Sequence, residues 1–255
     1  MGQRAGVKGV RMEQKGSPLG PPDSEAATAR AVQEMFARVA PRYDFLNHFL
    51  SAGFDLRWRR AAAEAVRPAL ERPGSVAADL CCGTGDLTFA LARFSAGHVV
   101  GADFCHPMLV EANKKIAAQH RRTPLFEADA LALPLADNSL DLITVAFGFR
   151  NLANYDRGLA EIYRVLGPNG EIGILDFGEP KGLIGALYRV YFRHVLPAIG
   201  TLISGVSGPY SYLPKSVQRF PTPEEMLKRM QTAGFREVSW TPYTFGIAGL
   251  YRGKK

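Results

Sequence analysis

The feature that most constrains this fold is a set of four short apolar runs placed among helix-patterned segments. Val76–Leu80, His98–Ala102, Leu140–Phe147 and Glu171–Phe177 have the length and character of buried strands, while Pro107–Gln119 and Asp156–Leu166 repeat apolar residues at helical spacing. Strands separated by helices pair in parallel, because the helix carries the chain back to the edge of the sheet where it started. Pro107 suits a first helical turn, and the Gly167-Pro168-Asn169-Gly170 turn stops the helix that Asp156 opens. The pattern predicts an α/β fold with a mostly parallel sheet and helices on both faces. Ligands of such sheets bind beyond the carboxyl ends of the strands.

The first strand runs directly into Asp79-Leu80-Cys81-Cys82-Gly83-Thr84-Gly85-Asp86 and then into a helical run from Leu87 to Phe94. Gly83 and Gly85 allow a tight turn and close approach of a ligand to the backbone, and the helix N-terminus offers free N–H donors. A dinucleotide fingerprint would require glycine at position 88, where this chain has Thr88, and Asp86 in the first helical turn would repel a phosphate. A ligand with a ribose and a positive charge but no phosphate suits the loop better, and S-adenosylmethionine (SAM) is the common cofactor of that kind. Asp103 follows the second strand, 20 residues beyond Gly83, where a carboxylate reaches ribose hydroxyls. Asp129 lies just past a short third strand, placed to accept the adenine amino group.

The chain has 255 residues, of which 47% are hydrophobic and 22% charged, a composition that excludes collagen-like or wholly disordered structure and allows one large core. The net charge of +7 is unevenly placed. Residues 1–180 hold 20 basic and 21 acidic side chains, net -1, whereas residues 181–255 hold 11 and 3, net +8. Three cysteines (Cys81, Cys82, Cys105) and five scattered histidines lack metal-ligand or disulfide spacing, so no metal is expected and a cytoplasmic setting fits best. The vicinal Cys81-Cys82 pair reads as small buried packing. Residues 1–30 mix Gly, Pro, Ser and isolated charges and read as a disordered tail. The apolar stretch from Leu183 to Val206 carries Arg189, Arg193 and His194 at its centre, too costly a set of charges for a membrane span. It reads instead as an amphipathic insertion with a basic face.

Several strings together resemble a known family. The run from Asp79 to Asp86, Ala102-Asp103, Ala128-Asp129-Ala130, Leu133-Pro134 and Tyr163 through Gly170 look like a class I SAM-dependent methyltransferase. Tyr43-Asp44-Phe45-Leu46-Asn47-His48, Trp58-Arg59-Arg60, Phe147-Gly148-Phe149-Arg150-Asn151, His194-Val195-Leu196-Pro197 and the ending Ala233-Gly234-Phe235 through Lys254 are similar to signatures of the UbiE/MenG family of quinone-ring C-methyltransferases. The resemblance covers about Val32 to Lys255. One departure is Ala146, where the family often carries a serine two residues before the glycine.

The resemblance implies a Rossmann-like class I methyltransferase fold. Its sheet would have seven strands, with a helical cover over residues 31–72, a SAM-binding core over 73–180, a substrate-covering insertion over 181–222, and a C-terminal helix and strands over 223–255. It implies transfer of the SAM methyl group to a ring carbon of a prenylated quinol in menaquinone or ubiquinone biosynthesis. Another small molecule or a nucleic acid is the alternative acceptor, although no Asn/Asp-Pro-Pro-Tyr string or RNA-binding module is present and no nucleic-acid partner is expected. Cofactor contacts are expected from Asp79, Gly83, Thr84, Gly85, Asp103, Asp129 and Ala130. Arg150 is expected to stabilise a phenolate, with Tyr43 as a second catalytic candidate, while Asn47, Asn151, His194 and Tyr210 are expected at the quinol. Contact of the basic C-terminal region with an anionic membrane, at the inner face of the cytoplasmic membrane, and a homodimer complete the expectations.

Overall fold

The computed structural model describes residues 16–19, 24–120, 122–180, 182, 185, 188, 190–191 and 209–255. Seven strands form one sheet: β1 (Val76–Leu80), β2 (His98–Asp103), β3 (Leu125–Glu127), β4 (Leu140–Ala146), β5 (Leu166–Phe177), β6 (Arg236–Tyr243) and β7 (Ala248–Lys254). Their order is β3-β2-β1-β4-β5-β7-β6, with the first five parallel and β7 antiparallel to both of its neighbours. The chain reverses its direction of travel across the sheet between β1 and β4. That switch point leaves a crevice at the carboxyl ends of these strands.

The α-helices with described bounds are α1 (Glu25–Val39), α2 (Tyr43–Leu50), α3 (Phe54–Ala65), α4 (Arg67–Leu70), α5 (Asp86–Leu91), α6 (His106–Ala118), α7 (Tyr155–Val165), α8 (Pro209–Arg219) and α9 (Pro223–Thr232). The central strands are apolar on both faces because helices cover both. On one face Leu80, Ile143, Ile174 and Tyr251 pack against Leu159 and Ile162 of α7 and Met226 and Met230 of α9. On the other, Ala77, Val99 and Leu142 meet Ala63 and Val66 beside α3, Leu70 of α4, and Leu87 and Leu91 of α5.

The four strands expected first lie where the periodicity puts them. The two C-terminal strands pair with each other out to Arg236 and Lys254, and Thr244–Gly246 between them forms a 3-10 turn. β5 begins before the Gly167–Gly170 turn, which it accommodates as a bulge: Leu140 pairs with Leu166, and Leu142 with Glu171.

The expected tail over residues 1–30 is corrected at its C-terminal end. α1 starts at Glu25, capped by the Ser24 side chain accepting from the Ala27 N–H, and Ser17 is buried. Burial of Val32, Met35 and Val39 along one side of α1 outweighs the low-complexity appearance of the residues before it.

Candidate active site

A cleft of about 690 Å³, counted to its open mouth, lies over the carboxyl ends of β1, β2 and β4. On its floor the Asp103 carboxylate accepts N–H bonds from Gly83 (2.8 Å) and Cys105 (2.8 Å), which ties β2 to the glycine loop. Burial pushes the Asp103 carboxyl up to about 6 against the lowering effect of these backbone donors. Gly83 lines the same cleft with φ of 55°, and a Cβ there would meet no protein atom within 4 Å. The space in front of it is open to the cleft. Asp129 lines the opposite wall, with one oxygen held by the Leu131 N–H (2.9 Å), and Ala130 is beside it. Phe104, Met108 and Leu131 supply apolar walls. A carboxylate at ribose height, an apolar slot and an acid at its far end fit an adenosyl group carrying a positive charge, and the absence of a basic side chain from the cleft's described lining argues against a phosphate.

Asp79 lies beneath this site rather than in it. It is 1% exposed, and its two oxygens accept from Thr88 Oγ1 (2.7 Å) and Thr144 Oγ1 (2.7 Å). Burial pushes its carboxyl up to about 6, offset in part by the two hydroxyls. It clamps β1 to α5 and β4. Gly85 is also outside the lining; it takes φ of 89° as the residue that caps α5.

Two elements of the N-terminal cover close the mouth. α1 crosses from one rim to the other: Gln33 Nε2 donates to the Phe104 carbonyl (2.7 Å), and Glu25 accepts from Asn154 Nδ2 (2.8 Å) and pairs with Arg157 (3.0 Å). Ala29 and Phe36, seven residues apart on α1, face the cleft between these anchors. Tyr43 at the start of α2 lines the cleft, edge to face with Phe36 at 6.0 Å, and is hydrogen-bonded to Asn47. Burial raises the Tyr43 hydroxyl above its ordinary value against the opposing effect of Arg59 and Arg150, so it stays protonated at neutral pH.

A polar latch holds α2 to the glycine loop. Lys115 Nζ of α6 stands 2.7 Å from Asp44 Oδ2 and 2.6 Å from Asp86 Oδ1, and it donates to Thr84 Oγ1 (3.2 Å), which itself donates to Asp44 Oδ1 (2.5 Å). The Thr84 side chain serves this latch and is absent from the cleft lining. Asp44, His48 and Asp86 bring ligand atoms within 4.8 Å of one another. The cation balancing them is the chain's own lysine.

Arg150 is 5% exposed in the turn after β4. Its Nη1 pairs with Asp176 Oδ1 at the end of β5 (2.9 Å) and donates to the Phe147 carbonyl, its backbone N–H donates to Asp176 Oδ2 (3.1 Å), and its guanidinium lies over the Phe177 ring at 5.1 Å. Burial would lower the guanidinium pKa, but Asp176 and neighbouring tyrosines overcome that and hold it charged. Its Nε is buried with no hydrogen-bond partner, a donor left available where a buried donor is ordinarily satisfied. Asn151 follows and does line the cleft, with Nδ2 donating to the Phe147 carbonyl (3.3 Å).

The sequence model of the ubiE/COQ5 methyltransferase family matches residues 24–255. The chain belongs to the ubiE/COQ5 methyltransferase family. A demethylmenaquinone methyltransferase of Thermus thermophilus is 49% identical over 223 residues, covering 87% of this chain and 100% of that one. A demethylmenaquinone methyltransferase of Deinococcus radiodurans is 49% identical over 229 residues, 89% of this chain and 93% of the relative. The ubiquinone/menaquinone biosynthesis C-methyltransferase UbiE of Geobacter sulfurreducens is 41% identical over 229 residues, 88% of each chain. Among solved structures, a SAM-dependent methyltransferase from Thermotoga maritima superposes with a TM-score of 0.63 at 21% identity, over 87% of this chain and 99% of that one. One from Aquifex aeolicus gives 0.56 at 18%, over 76% and 88%. These two likenesses establish the Rossmann-like class I methyltransferase fold.

Of the residues expected for this ubiE/COQ5 site, Tyr43, Gly83, Asp103, Asp129, Ala130 and Asn151 converge on one cleft. Arg150 lies behind the cleft wall, and Asn47 supports Tyr43. His194 and the side chain of Tyr210 lie outside the described residues, as do Arg189 and Arg193 of the basic insertion face. Cys81, read as buried packing, also lines the cleft; burial raises its thiol well above the ordinary value, which keeps it protonated. Ala146 lines the cleft where a serine was noted as missing. The sequence reading missed Asp176, whose signal was available as the one acid in the apolar run Ile172–Phe177. It also missed Lys115, whose latch depends on three elements that only the fold brings together.

Proposed function

We propose that this SAM-dependent methyltransferase methylates a ring carbon of a prenylated quinol, of the kind consumed in menaquinone or ubiquinone biosynthesis. The observation that carries the reading is the charged, buried Arg150, with its unpartnered Nε, held by Asp176 directly behind a cleft suited to an adenosyl sulfonium. The names of the relatives support the substrate class. SAM, when bound, supplies an electrophilic methyl group on sulfur. Asp103 and Asp129 would hold it, at the ribose and the adenine respectively, with Gly83 leaving the room it needs.

The chain's own residues do the rest. A ring carbon becomes nucleophilic as its neighbouring hydroxyl loses a proton, and a fixed positive charge favours the resulting phenolate. Arg150 supplies that charge and, being permanently protonated, is not the proton acceptor. Tyr43 and Asn151 orient the ring from the two sides of the cleft, and α1 with α2 exclude water. Arg150→Ala is expected to lower turnover about 10²-fold, the scale of one oriented donor to a developing oxyanion, with SAM affinity preserved. Unchanged turnover in a folded, SAM-binding variant overturns the assignment.

A prenylated substrate resides in lipid, and the cover helices present a surface suited to it. Phe45 and Phe49 stack on α2 at 61% and 55% exposure, Leu56 is exposed on α3, and Arg42, Arg57 and Arg60 are exposed around them. Among the described residues no helix is long and apolar enough to cross a membrane. This aromatic and basic face supports peripheral docking on an anionic bilayer beside the active-site cover.

A further inference from the structure

Residues 16–19 precede the segment that the family pattern matches, yet they are built into the site. The Ser17 N–H donates to the Leu152 carbonyl (2.8 Å), and Ser17 is 6% exposed. Gly16 presses so closely on the turn after β4 that a Cβ would stand 1.9 Å from the Ala153 carbonyl oxygen. Leu152 and Ala153 line the cleft.

The Ser17 hydroxyl then begins a hydrogen-bond chain whose direction is forced. Tyr212 of α8, itself buried, donates its single hydroxyl proton to Asn151 Oδ1 (2.9 Å), so the Ser17 hydroxyl, 2.9 Å from Tyr212 Oη, is the donor in that pair. The lone pairs of Ser17 Oγ in turn face the Leu19 N–H (3.4 Å). Asn151, its amide oxygen fixed by Tyr212, turns its Nδ2 to the Phe147 carbonyl, the same carbonyl that accepts from Arg150 Nη1. Ser17, Tyr212, Asn151 and the anchor of Arg150 are one connected network, in which no member can reverse its dipole without breaking its neighbour's bond.

We propose that residues 16–19 are a strap that completes the active site, and that Ser17 is a positioning residue acting through Tyr212 to orient Asn151 toward the quinol. The proposal rests on the quinol-methylating reading above. Loss of the Ser17 hydroxyl leaves the buried Tyr212 oxygen with Ser216 as its remaining hydroxyl neighbour and loosens its hold on Asn151. The cofactor's own contacts, at Asp103, Asp129 and Gly83, lie on other elements.

The test uses the 255-residue chain as wild type, Ser17→Ala, Gly16→Val, Tyr212→Phe and the Ser17→Ala/Tyr212→Phe pair. Rates are measured with a demethylated prenyl quinol in detergent micelles, and SAM affinity by calorimetry. Ser17→Ala and Gly16→Val are expected to raise the KM for quinol about three- to tenfold, the scale of one neutral hydrogen bond, with kcat and SAM affinity within twofold of wild type. The double variant is expected to match Tyr212→Phe alone, because the chain is already cut. Unchanged quinol KM in both single variants, or independent and additive effects in the pair, overturns the proposal. Amide exchange on the unmodified protein gives a check that needs no turnover: the Ser17 N–H should be protected, and free exchange there overturns the strap. A wild type that binds SAM and protects Ser17 but leaves prenyl quinols unmethylated contradicts the functional reading instead.

Discussion

Asp103 links local chemistry to cofactor affinity. Its carboxyl, pushed up to about 6 by burial, is ionised at neutral pH and protonated below that value. The ionised form accepts hydrogen bonds from ribose hydroxyls and attracts a sulfonium, whereas the neutral form loses most of both. SAM affinity is therefore expected to fall as pH drops through about 6, and Asp103→Asn should bind weakly at all pH values with that dependence flattened. Calorimetric titration from pH 5 to 8 checks the point; a wild-type affinity constant across this range contradicts it. Single residues were legible in the sequence where position along a strand decides their role. Asp103 and Asp129 end up on the cleft because each follows a parallel strand. The side of the tight loop that Asp79 and Thr84 face was not legible, because it depends on their partners. Thr88 and Thr144 draw Asp79 inward, and Lys115 with Asp44 draws Thr84 outward.

At the scale of elements, the cover is fastened rather than merely packed. Lys115 joins α6 to Asp44 on α2 and Asp86 at the start of α5, with about a quarter of its side chain exposed. Lys115→Met keeps the aliphatic bulk and removes the charge-assisted bonds, leaving two acids facing each other. Dissociation of SAM is expected to accelerate about tenfold, the low end for hydrogen bonds to a charged group once exposure is taken into account. Amide exchange in α2 should rise with it. Stopped-flow displacement of SAM reads the first effect, and an unchanged dissociation rate would show that the latch does not hold the cover down. The strands and helices themselves were legible because burial on both faces writes continuous apolar runs into β1, β2, β4 and β5. The start of α1 was not, since its first buried residues follow a stretch dominated by glycine, proline and small polar residues. Ser17, inside a run with no periodicity, gains its meaning only from Tyr212, which lies 195 positions away.

Across the whole molecule, the excess of positive charge in residues 181–255 pointed to the C-terminal region as the membrane-facing part. The docking proposed above uses a different region, the exposed Phe45 and Phe49 of α2 with Leu56 of α3 and the exposed arginines near them in the chain. Phe45→Ser/Phe49→Ser is expected to reduce recruitment to anionic vesicles about tenfold at low salt, given the apolar area the two rings would bury, without changing SAM affinity. Equal co-sedimentation of the variant and wild type would remove this face from the account. Periodicity could not reveal such a surface, because a solvent-facing phenylalanine and a core phenylalanine look alike until the fold assigns each a side.

The central claim is that a SAM-binding cleft backed by Arg150 and Asp176 methylates carbon on a prenylated quinol ring. The most direct measurement is incubation of the purified chain with SAM carrying a deuterated methyl group and, side by side, a demethylated prenyl naphthoquinol and a prenyl benzoquinol, with products identified by mass spectrometry. The account predicts a ring-methylated product bearing the labelled methyl group from at least one of the two, and its loss in Arg150→Ala. Labelled methyl transfer to neither ring by a protein that binds SAM would contradict it.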